Sequence, residues 1–283
     1  MLAIFSRKLF KNGLMILGWG LGLGLLGYWM FDIYETMFGM DVDLQQMIAA
    51  FPDEMMAFFG GADVNVFEPA GFLHLEFFSY IPLILGFVAV SGATGLIAKE
   101  EEAGSLELIL AQPVSRSAVF WGKLLALLAT FILIMVLIWG GFAIGLARTD
   151  TFDLTQGQLV QPFISLLAVV MVFLSLALLL SMILPTSGSA SMVANFVLIA
   201  SFFITSLAQI EDRLEIVNQF SPLNYYQGGK ALSGLNGESV LILYGVSILL
   251  TLLAWRLFLK RDLHFSGTGW LSVAHKRKGE VEG

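Results

Sequence analysis

Few residues of this sequence have a type and spacing that could carry out chemistry. His74 and Glu76 could ligate a metal ion, but one histidine beside scattered carboxylates is a weak metal signal, and we interpret them as solvated surface. Gly228-Gly229-Lys230-Ala231 places a lysine after two glycines, yet it lacks the earlier glycine and the Ser or Thr of a phosphate-binding loop. The sequence therefore predicts no metal site, no catalytic residue and no ATPase site in this chain.

Other kinds of site are also disfavoured. Residues 22–27 formally match the dinucleotide fingerprint Gly-x-Gly-x-x-Gly, but no strand is predicted before them and the surrounding run is apolar. The chain has no cysteine, which excludes disulfides, thiol catalysis and Cys-based metal sites. No Gly-x-Ser-x-Gly occurs, and His74, His264 and His275 lie outside the long apolar runs. A catalytic cluster within a membrane is therefore not indicated.

The most organised polar segment covers residues 99–123. An acidic cluster comes first, and an apolar stripe of Leu106, Ile109 and Leu110 follows it before Pro113 ends the predicted helix. A helix of about ten residues is not stable alone in water, so it must dock on another protein or on the inner ends of this chain's own helices. The candidate contact residues are Glu101, Glu102, Gly104, Ser105, Leu106, Glu107, Ile109, Leu110, Pro113 and Arg116.

The elements that must position this segment are membrane helices. Hydrophobic residues make up 57% of the 283 residues and charged residues 13%, with a mean hydropathy of +0.83, which exceeds what a soluble core needs. Six apolar runs reach the roughly 18 residues that mark a membrane-spanning helix. They cover residues 14–31, 77–98, 124–147, 162–184, 190–208 and 239–259. The sequence thus predicts an all-α polytopic membrane protein with one transmembrane domain over residues 1–283.

The charge distribution predicts how these spans are oriented. Of the 15 Lys and Arg residues, 12 lie before the first span, in residues 99–123 or after residue 255, and all of these segments share one side. Because Lys and Arg accumulate in cytoplasmic loops, both termini should be cytoplasmic. The opposite side holds 15 of the 22 acidic residues. The basic tail at residues 276–278 is explained by this topology, so we expect no nucleic-acid partner.

Two features predict contacts of the first span. In residues 1–13, Leu2, Phe5 and Leu9 recur at helical spacing, which fits either a helix in the inner membrane interface or a frayed basic tail. The span itself contains overlapping Gly-xxx-Gly pairs, which let two helix backbones approach closely. These helix-packing residues are Gly18, Gly20, Gly22 and Gly24. The partner helix belongs either to the same subunit or to a second copy.

The segments on the outer side are too elaborate for simple linkers. In the outer loop, residues 32–76, apolar and acidic residues alternate as in short amphipathic helices resting on the outer leaflet. In residues 209–238, Ser221-Pro222 is typical of a helix start, and the aromatic residues after it suit the membrane interface. We expect this second segment to dip into the membrane as a re-entrant element. Residues 260–283 form the predicted cytoplasmic tail.

The segment from Glu101 to Leu110, followed by Gln112-Pro113-Val114-Ser115-Arg116, resembles the loop between the second and third membrane helices of ABC-2 type exporter permeases. The family pattern is roughly acidic-x-x-Gly-Thr-Leu-Glu-x-Leu-Leu-x-x-Pro-Val-Ser-Arg, and Ser105 stands where Thr is usual. The resemblance extends to the six helices, the interfacial N-terminal helix and Ser221-Pro222-Leu223, and so covers most of the chain.

The resemblance implies the permease subunit of an ABC exporter in the cytoplasmic membrane of a prokaryote. Its implied partners are membrane lipid, an ABC ATPase (nucleotide-binding) subunit, and a second permease copy or a paralogue that forms the dimer. ATP and Mg would bind to the ATPase, and this chain would carry no cofactor. The re-entrant segment would lie near the outer exit.

The resemblance also implies roles within residues 99–123, which would form a cytoplasmic coupling helix seated in a cleft of the ATPase. Three apolar side chains would anchor the helix in the ATPase: Leu106, Ile109 and Leu110. Three carboxylates would pair with basic residues of the ATPase: Glu101, Glu102 and Glu107. Closure of the ATPases on ATP would then displace these helices and change how the two bundles meet.

Three other functions compete with that of an ABC exporter permease. A proton- or sodium-coupled carrier is disfavoured because no span centre holds an ionisable residue. An enzyme embedded in the membrane would need a catalytic cluster, and the sequence predicts none. A non-transporting assembly or sensory partner of an ABC ATPase remains the alternative, since it would use the same docking contact. If the chain transports, its uncharged spans favour a hydrophobic or amphipathic substrate.

Overall fold

A computed structural model describes residues 1–39, 52–58, 68–104 and 114–260 of the protein. Within these ranges every regular element is a helix, and six helices are long and apolar enough to cross a membrane. They span Gly13–Met37, Pro69–Thr94, Arg116–Leu146, Gln156–Ile183, Ser187–Leu207 and Gly237–Lys260. The all-α polytopic fold predicted from the sequence is therefore confirmed.

The helices are numbered in chain order. They are α1 (Leu2–Lys11), α2 (Gly13–Gly39), α3 (Asp53–Phe58), α4 (Pro69–Leu73), α5 (Ile81–Thr94), α6 (Ala98–Glu102), α7 (Arg116–Leu146), α8 (Gln156–Ile183), α9 (Ser187–Leu207), α10 (Glu215–Asn218) and α11 (Gly237–Lys260). One π-helical turn, His74–Phe78, joins α4 to α5. Short 3-10 turns at Asp212–Leu214, Pro222–Tyr225 and Gly228–Ser233 lie before α11.

Helix α8 forms the centre of the bundle. It contacts α5, α7, α9 and α11, and 72% of its most apolar window is buried, against 22% for α11. A helix that is hydrophobic on all sides is buried on all sides, and α8 has the highest hydropathy of the six. The exposed apolar faces of α2, α9 and α11 are suited to contact with lipid.

Helices α2 and α7 pack closely because glycines line their contact. Gly20 and Gly24 of α2 face Leu137, and a Cβ atom added at Gly24 would lie 2.7 Å from the Leu137 carbonyl oxygen. On the other side of the contact, a Cβ atom at Gly141 would overlap the backbone of Gly24. Small residues allow backbones to approach in this way where lipid supplies no hydrophobic drive.

The helices continue beyond the apolar runs that predict them. Helix α2 extends past Phe31 to Gly39, and α7 begins at Arg116 rather than at residue 124. Ser115 starts α7, because its hydroxyl accepts a hydrogen bond from the Ala118 N–H at 3.2 Å. Lys123, which the sequence places at the end of a loop, therefore lies two turns inside a helix. Hydropathy marks the part of a helix in contact with lipid, whereas backbone hydrogen bonding continues past it.

The bundle has two chemically different ends. The basic end comprises α1, α6, the first turns of α7 and α9 and the last turn of α11, and it carries Arg7, Lys8, Lys11, Lys99, Arg116, Lys123, Arg256 and Lys260. The acidic end comprises α3, α4, the π-helical turn, residues 147–155 and residues 208–236. The segment at residues 208–236 folds back on the bundle, where Leu223, Ala231 and Leu232 are buried and the Tyr226 hydroxyl donates to the Phe78 carbonyl oxygen at 3.0 Å.

Candidate functional site

The acidic cluster of the candidate contact segment lies on α6, at the basic end. Helix α6 follows the buried residues Leu96 and Ile97 and ends with hydrogen bonds from the Ala103 N–H to the Lys99 carbonyl and from the Gly104 N–H to the Glu101 carbonyl. Gly104 has φ +68, the left-handed conformation that stops a helix and that glycine adopts without strain. Helix α6 thus ends at Gly104, immediately before Ser105.

The Glu102 carboxylate binds the first residue of α9. One of its oxygens accepts from the Ser187 N–H at 2.5 Å, and the other accepts from the Ser187 hydroxyl at 2.8 Å. These hydrogen bonds, from the Ser187 backbone first and its side chain second, lower the pKa of Glu102. A carboxylate also interacts favourably with the partial positive charge of a helix N-terminus. The acidic segment is therefore joined directly to the fifth span.

A second charged contact joins α6 to α7. Glu100 forms an ion pair with Lys123, whose ammonium group also donates to the Leu96 carbonyl oxygen at 3.1 Å. The Lys123 side chain is only 3% exposed, so these partners compensate for the loss of its hydration. Lys8 of α1 lies nearby: burial lowers its pKa, while the negative charge of Glu100 opposes that shift. Glu100 is thus the point at which α1, α6 and α7 meet.

The remaining candidate contact residues divide into two groups. Arg116 donates to the Leu259 carbonyl oxygen at 3.4 Å and so joins the start of α7 to the end of α11. Glu101 is half-buried on α6. Six candidates lie outside the described residues: Ser105, Leu106, Glu107, Ile109, Leu110 and Pro113. The described part of the segment is therefore its root, which is fixed to three membrane helices.

The four candidate packing glycines lie on two faces of α2. Gly20 and Gly24 are buried against α7. Gly18 and Gly22 are exposed, and a Cβ atom at either position would meet no described atom within 4 Å. The structure thus brings one Gly-xxx-Gly pair into a contact within the subunit and leaves the other on the outer face of the bundle.

At the acidic end, neutral polar groups join α9 to the folded-back segment. The Thr205 hydroxyl lies 2.8 Å from both the Asn218 side-chain oxygen and the Ser221 hydroxyl, and the Ser221 hydroxyl also donates to the Ser201 carbonyl oxygen at 3.3 Å. Asn218 in turn donates to the Asn224 side-chain oxygen at 2.9 Å. Both ends of α9 are therefore held by hydrogen bonds from other elements.

The interpretation of His74 as solvated surface was wrong, because the residue is only 8% exposed and has a packing role. Its Nδ1 accepts from the Gly229 N–H at 3.0 Å, and a Cβ atom at Gly229 would lie 2.6 Å from the His74 Cβ. No group of three or more His, Asp or Glu side chains that could hold a metal occurs in the described part of the chain. His74 instead fixes the folded-back segment to the π-helical turn.

Sequence reasoning did not identify Ser187 or Lys123 as members of the site. Thr186 and Ser189 form a capping box at the start of α9, so the start of this helix was predictable from the sequence. Nothing in the sequence, however, indicated which carboxylate lies on it, because Glu102 is 85 residues away along the chain.

The sequence of residues 14–263 matches the family model described as ABC-2 family transporter protein. No curated protein is significantly similar to the sequence. The match covers all six spans and the segment between α6 and α7, the same regions in which the motif and the helix count point to a permease. This chain belongs to the ABC-2 family of transporter proteins.

Proposed function

We propose that this chain is the permease subunit of an ABC exporter and that a separate ATPase subunit drives it through residues 105–113. Membership of the ABC-2 family supports a membrane permease and a partnership with an ABC ATPase. The observation that carries the coupling step is the contact between Glu102 and Ser187, because it connects the root of the contact segment to a membrane span. ATP and Mg are held by the partner, and this chain supplies no cofactor.

The coupling step is mechanical. A displacement of residues 105–113 moves α6, and α6 transmits it to α9 through Glu102 and to α7 through the ion pair of Glu100 with Lys123. Helix α9 has 21 residues and is about 30 Å long, so it spans the apolar part of a bilayer. Its far end carries Thr205, which is bonded to the folded-back segment. A movement at the basic end therefore reaches the acidic end through one helix.

The proposed substrate is hydrophobic or amphipathic. An apolar cavity of about 410 Å³ lies between α7, α8 and α11, and residues of three membrane spans line it. Its walls include Trp121, Met171, Leu174 and Leu252, together with the hydroxyl-bearing Tyr244 and Ser247. Such a cavity favours alkyl or aromatic groups over charged ones.

The proposed working form contains a second permease copy or a paralogue and lies in the cytoplasmic membrane of a prokaryote, with the basic end in the cytoplasm. The exposed pair Gly18 and Gly22 supports the dimer, because it presents a flat helix face at the surface of the subunit. The bias of Lys and Arg toward the basic end supports the orientation.

The test is reconstitution of the permease with the ATPase that co-purifies with it from native membranes. In proteoliposomes, a hydrophobic or amphipathic substrate should stimulate ATP hydrolysis and move to the side of the membrane opposite the ATPase. Hydrolysis that no substrate changes, with no movement of any amphiphile, would instead identify an assembly or sensory partner. Failure of any ATPase to co-purify would overturn the proposal itself.

A further inference from the structure

The apolar cavity between α7, α8 and α11 lies between the basic end and the middle of the bundle. On α7, which begins at the basic end, its lining residues run from Trp121 to Ile132, about 8 to 24 Å from the start of the helix. On α11, which ends there, they run from Leu252 back to Tyr244, about 12 to 24 Å from the end of the helix. Because the hydrocarbon core of a bilayer is about 30 Å thick, the cavity lies at the depth of the alkyl chains of the leaflet at the basic end.

The cavity is open to the bilayer on one side and closed by the bundle on the other. Ile132, Ile248 and Leu252 line it and are exposed at the surface of the bundle. Met171 and Leu174 of α8 form its inner wall and are buried. Since lipid surrounds the exposed residues in a membrane, the alkyl chain of a lipid can enter this cavity without crossing water.

Two tryptophans lie at the end of the cavity nearer the basic end. Trp121 lines the cavity, and its ring lies beside that of Trp255, with the ring centroids 5.9 Å apart. The Trp255 Nε1–H donates to the Ser117 hydroxyl at 3.3 Å and so holds the second ring in place. Tryptophan is enriched where the alkyl chains of a bilayer meet the headgroups. The pair therefore marks the level of the headgroup of a lipid whose chain occupies the cavity.

A basic side chain lies at the same level. Arg256 is one helical turn beyond Leu252 toward the basic end, so the two residues share a side of α11. Arg256 is exposed, and it forms no hydrogen bond or ion pair with another residue in the described part of the chain. A guanidinium group binds phosphate oxygens with paired hydrogen bonds. This rim of the cavity thus favours a headgroup with a net negative charge over a zwitterionic one.

We propose that the cavity binds one acyl chain of an anionic phospholipid from the leaflet at the basic end, with the headgroup phosphate at Arg256. The other acyl chain stays in the bilayer, beside the exposed residues Ile132 and Ile248. Binding is a property of this chain alone. That the bound lipid is also the exported substrate rests on the proposed function, which assigns the same cavity to a hydrophobic or amphipathic substrate.

The experiment titrates the purified permease, without any ATPase, with two lipids that differ in headgroup charge. The probes are phosphatidylglycerol and phosphatidylcholine with identical acyl chains, and native mass spectrometry counts the bound lipid. We expect one tightly held lipid per chain and a preference of about fivefold for phosphatidylglycerol, the effect of one basic residue near a lipid headgroup. Equal affinity for the two lipids would overturn the inference. Failure of the permease to couple to an ATPase would remove the proposed function and leave this result in place.

A pair of substitutions in α11 tests the cavity itself. Leu252→Trp should weaken the binding of both lipids about tenfold, because the indole ring fills the opening of the cavity. Leu249→Trp is the matched control, since Leu249 is also exposed on α11 but is not among the described residues that line the cavity. Both positions are at the surface, so both variants should fold. Equal lipid affinity in the two variants would contradict the assignment of the cavity.

A second pair of substitutions tests the headgroup contact. Arg256→Met should weaken the binding of phosphatidylglycerol about fivefold and leave that of phosphatidylcholine nearly unchanged, so that the preference disappears. Arg213→Met removes an exposed positive charge from the acidic end and should keep the preference intact. Loss of the preference in both variants, or in neither, would contradict the contact with Arg256.

Discussion

The two ends of the bundle hold the same helix, α9, by different chemistry. At the basic end, the charged Glu102 binds its first residue, and a second ion pair, Glu100 with Lys123, lies close by. At the acidic end, the side-chain hydrogen bonds that join α9 to other described residues are between neutral groups, among them Thr205 and Asn218. Charge-assisted hydrogen bonds are roughly twice as strong as neutral ones. We propose that the basic end, which would face the motor, is the firmer attachment of α9 and that the acidic end rearranges more readily.

The contrast between the two ends holds only if the bundle keeps them at a fixed separation. The largest effect is therefore expected from a substitution that disrupts the packing of the bundle. Gly24→Leu should prevent α2 from packing on α7, because even a Cβ atom there lies 2.7 Å from the Leu137 carbonyl oxygen. We expect loss of the folded, monodisperse protein in size-exclusion chromatography.

Gly22→Leu is the matched control, since no described atom lies within 4 Å of its Cβ position. It should retain the fold of the subunit, and a loss of the dimer in this variant would place Gly22 at the contact between copies. Equal behaviour of the two variants would contradict the assigned packing.

The next largest effect is expected at the basic end. Leu106→Asp should abolish transport, because it places a charge at a predicted anchor, and truncating a buried anchor typically costs about 2 kcal/mol or more. Glu107→Ala, a charge at the rim, should lower transport much less. The measurement is uptake into inverted vesicles with the amount of bound ATPase determined in parallel. Similar, normal transport in both variants would remove the role assigned to this segment.

A smaller effect is expected where force passes to α9. Glu102→Ala should leave ATP hydrolysis nearly normal and lower the substrate moved per ATP by about tenfold, within the roughly 5- to 150-fold range of coupling energies. Ser187→Ala is the graded control, because it removes the hydroxyl donor and keeps the backbone N–H. If Glu102→Ala transports like the wild type, α9 is not the transmitting helix.

The neutral end should be more tolerant. Thr205→Val keeps the shape of the side chain and removes its contacts with Asn218 and Ser221, and a neutral hydrogen bond contributes about 1 kcal/mol. We expect a small loss of thermal stability and a change of a few fold in the rate of substrate release, with the ratio of substrate to ATP preserved. A fall in that ratio as large as that of Glu102→Ala would erase the contrast between the two ends.

The smallest effect is that of pH on the contact between Glu102 and Ser187 at the basic end. The pKa of Glu102 is lowered from its usual 4.5, so its contact contributes fully above pH 4.5 and is lost only as the pH falls through the lower, folded-state value. Carbon-13 NMR of glutamate-labelled protein, assigned by comparison with Glu102→Gln, should show a titration midpoint below 4.5. A midpoint at or above that value would show that Ser187 does not hold the carboxylate.

The fold was largely predictable, because six apolar runs and the distribution of Lys and Arg depend on local sequence alone. The family pattern around Gly104 was equally local, and so was the glycine pattern of α2. The choice between Gly20/Gly24 and Gly18/Gly22 was not predictable, since both pairs have the same spacing and only the position of Leu137 distinguishes them. Similarly, the contact of Glu100 with Lys123 depends on how α6 and α7 fold back on each other. The periodicity of apolar residues in the sequence does not predict that arrangement.

The contact of Glu102 with Ser187 also has a consequence for how the protein is made. The two residues are 85 positions apart, and ribosomes add about 5–20 residues per second, so Glu102 waits roughly 4–17 s for its partner to be synthesised. During that interval the third and fourth membrane spans, α7 and α8, are synthesised, and the acidic segment is held through Glu100 and Lys123 but not yet through Glu102. In a truncated chain lacking α9, the Glu102 carboxylate would therefore have no Ser187 to bind, and the acidic segment would lose its link to the fifth span.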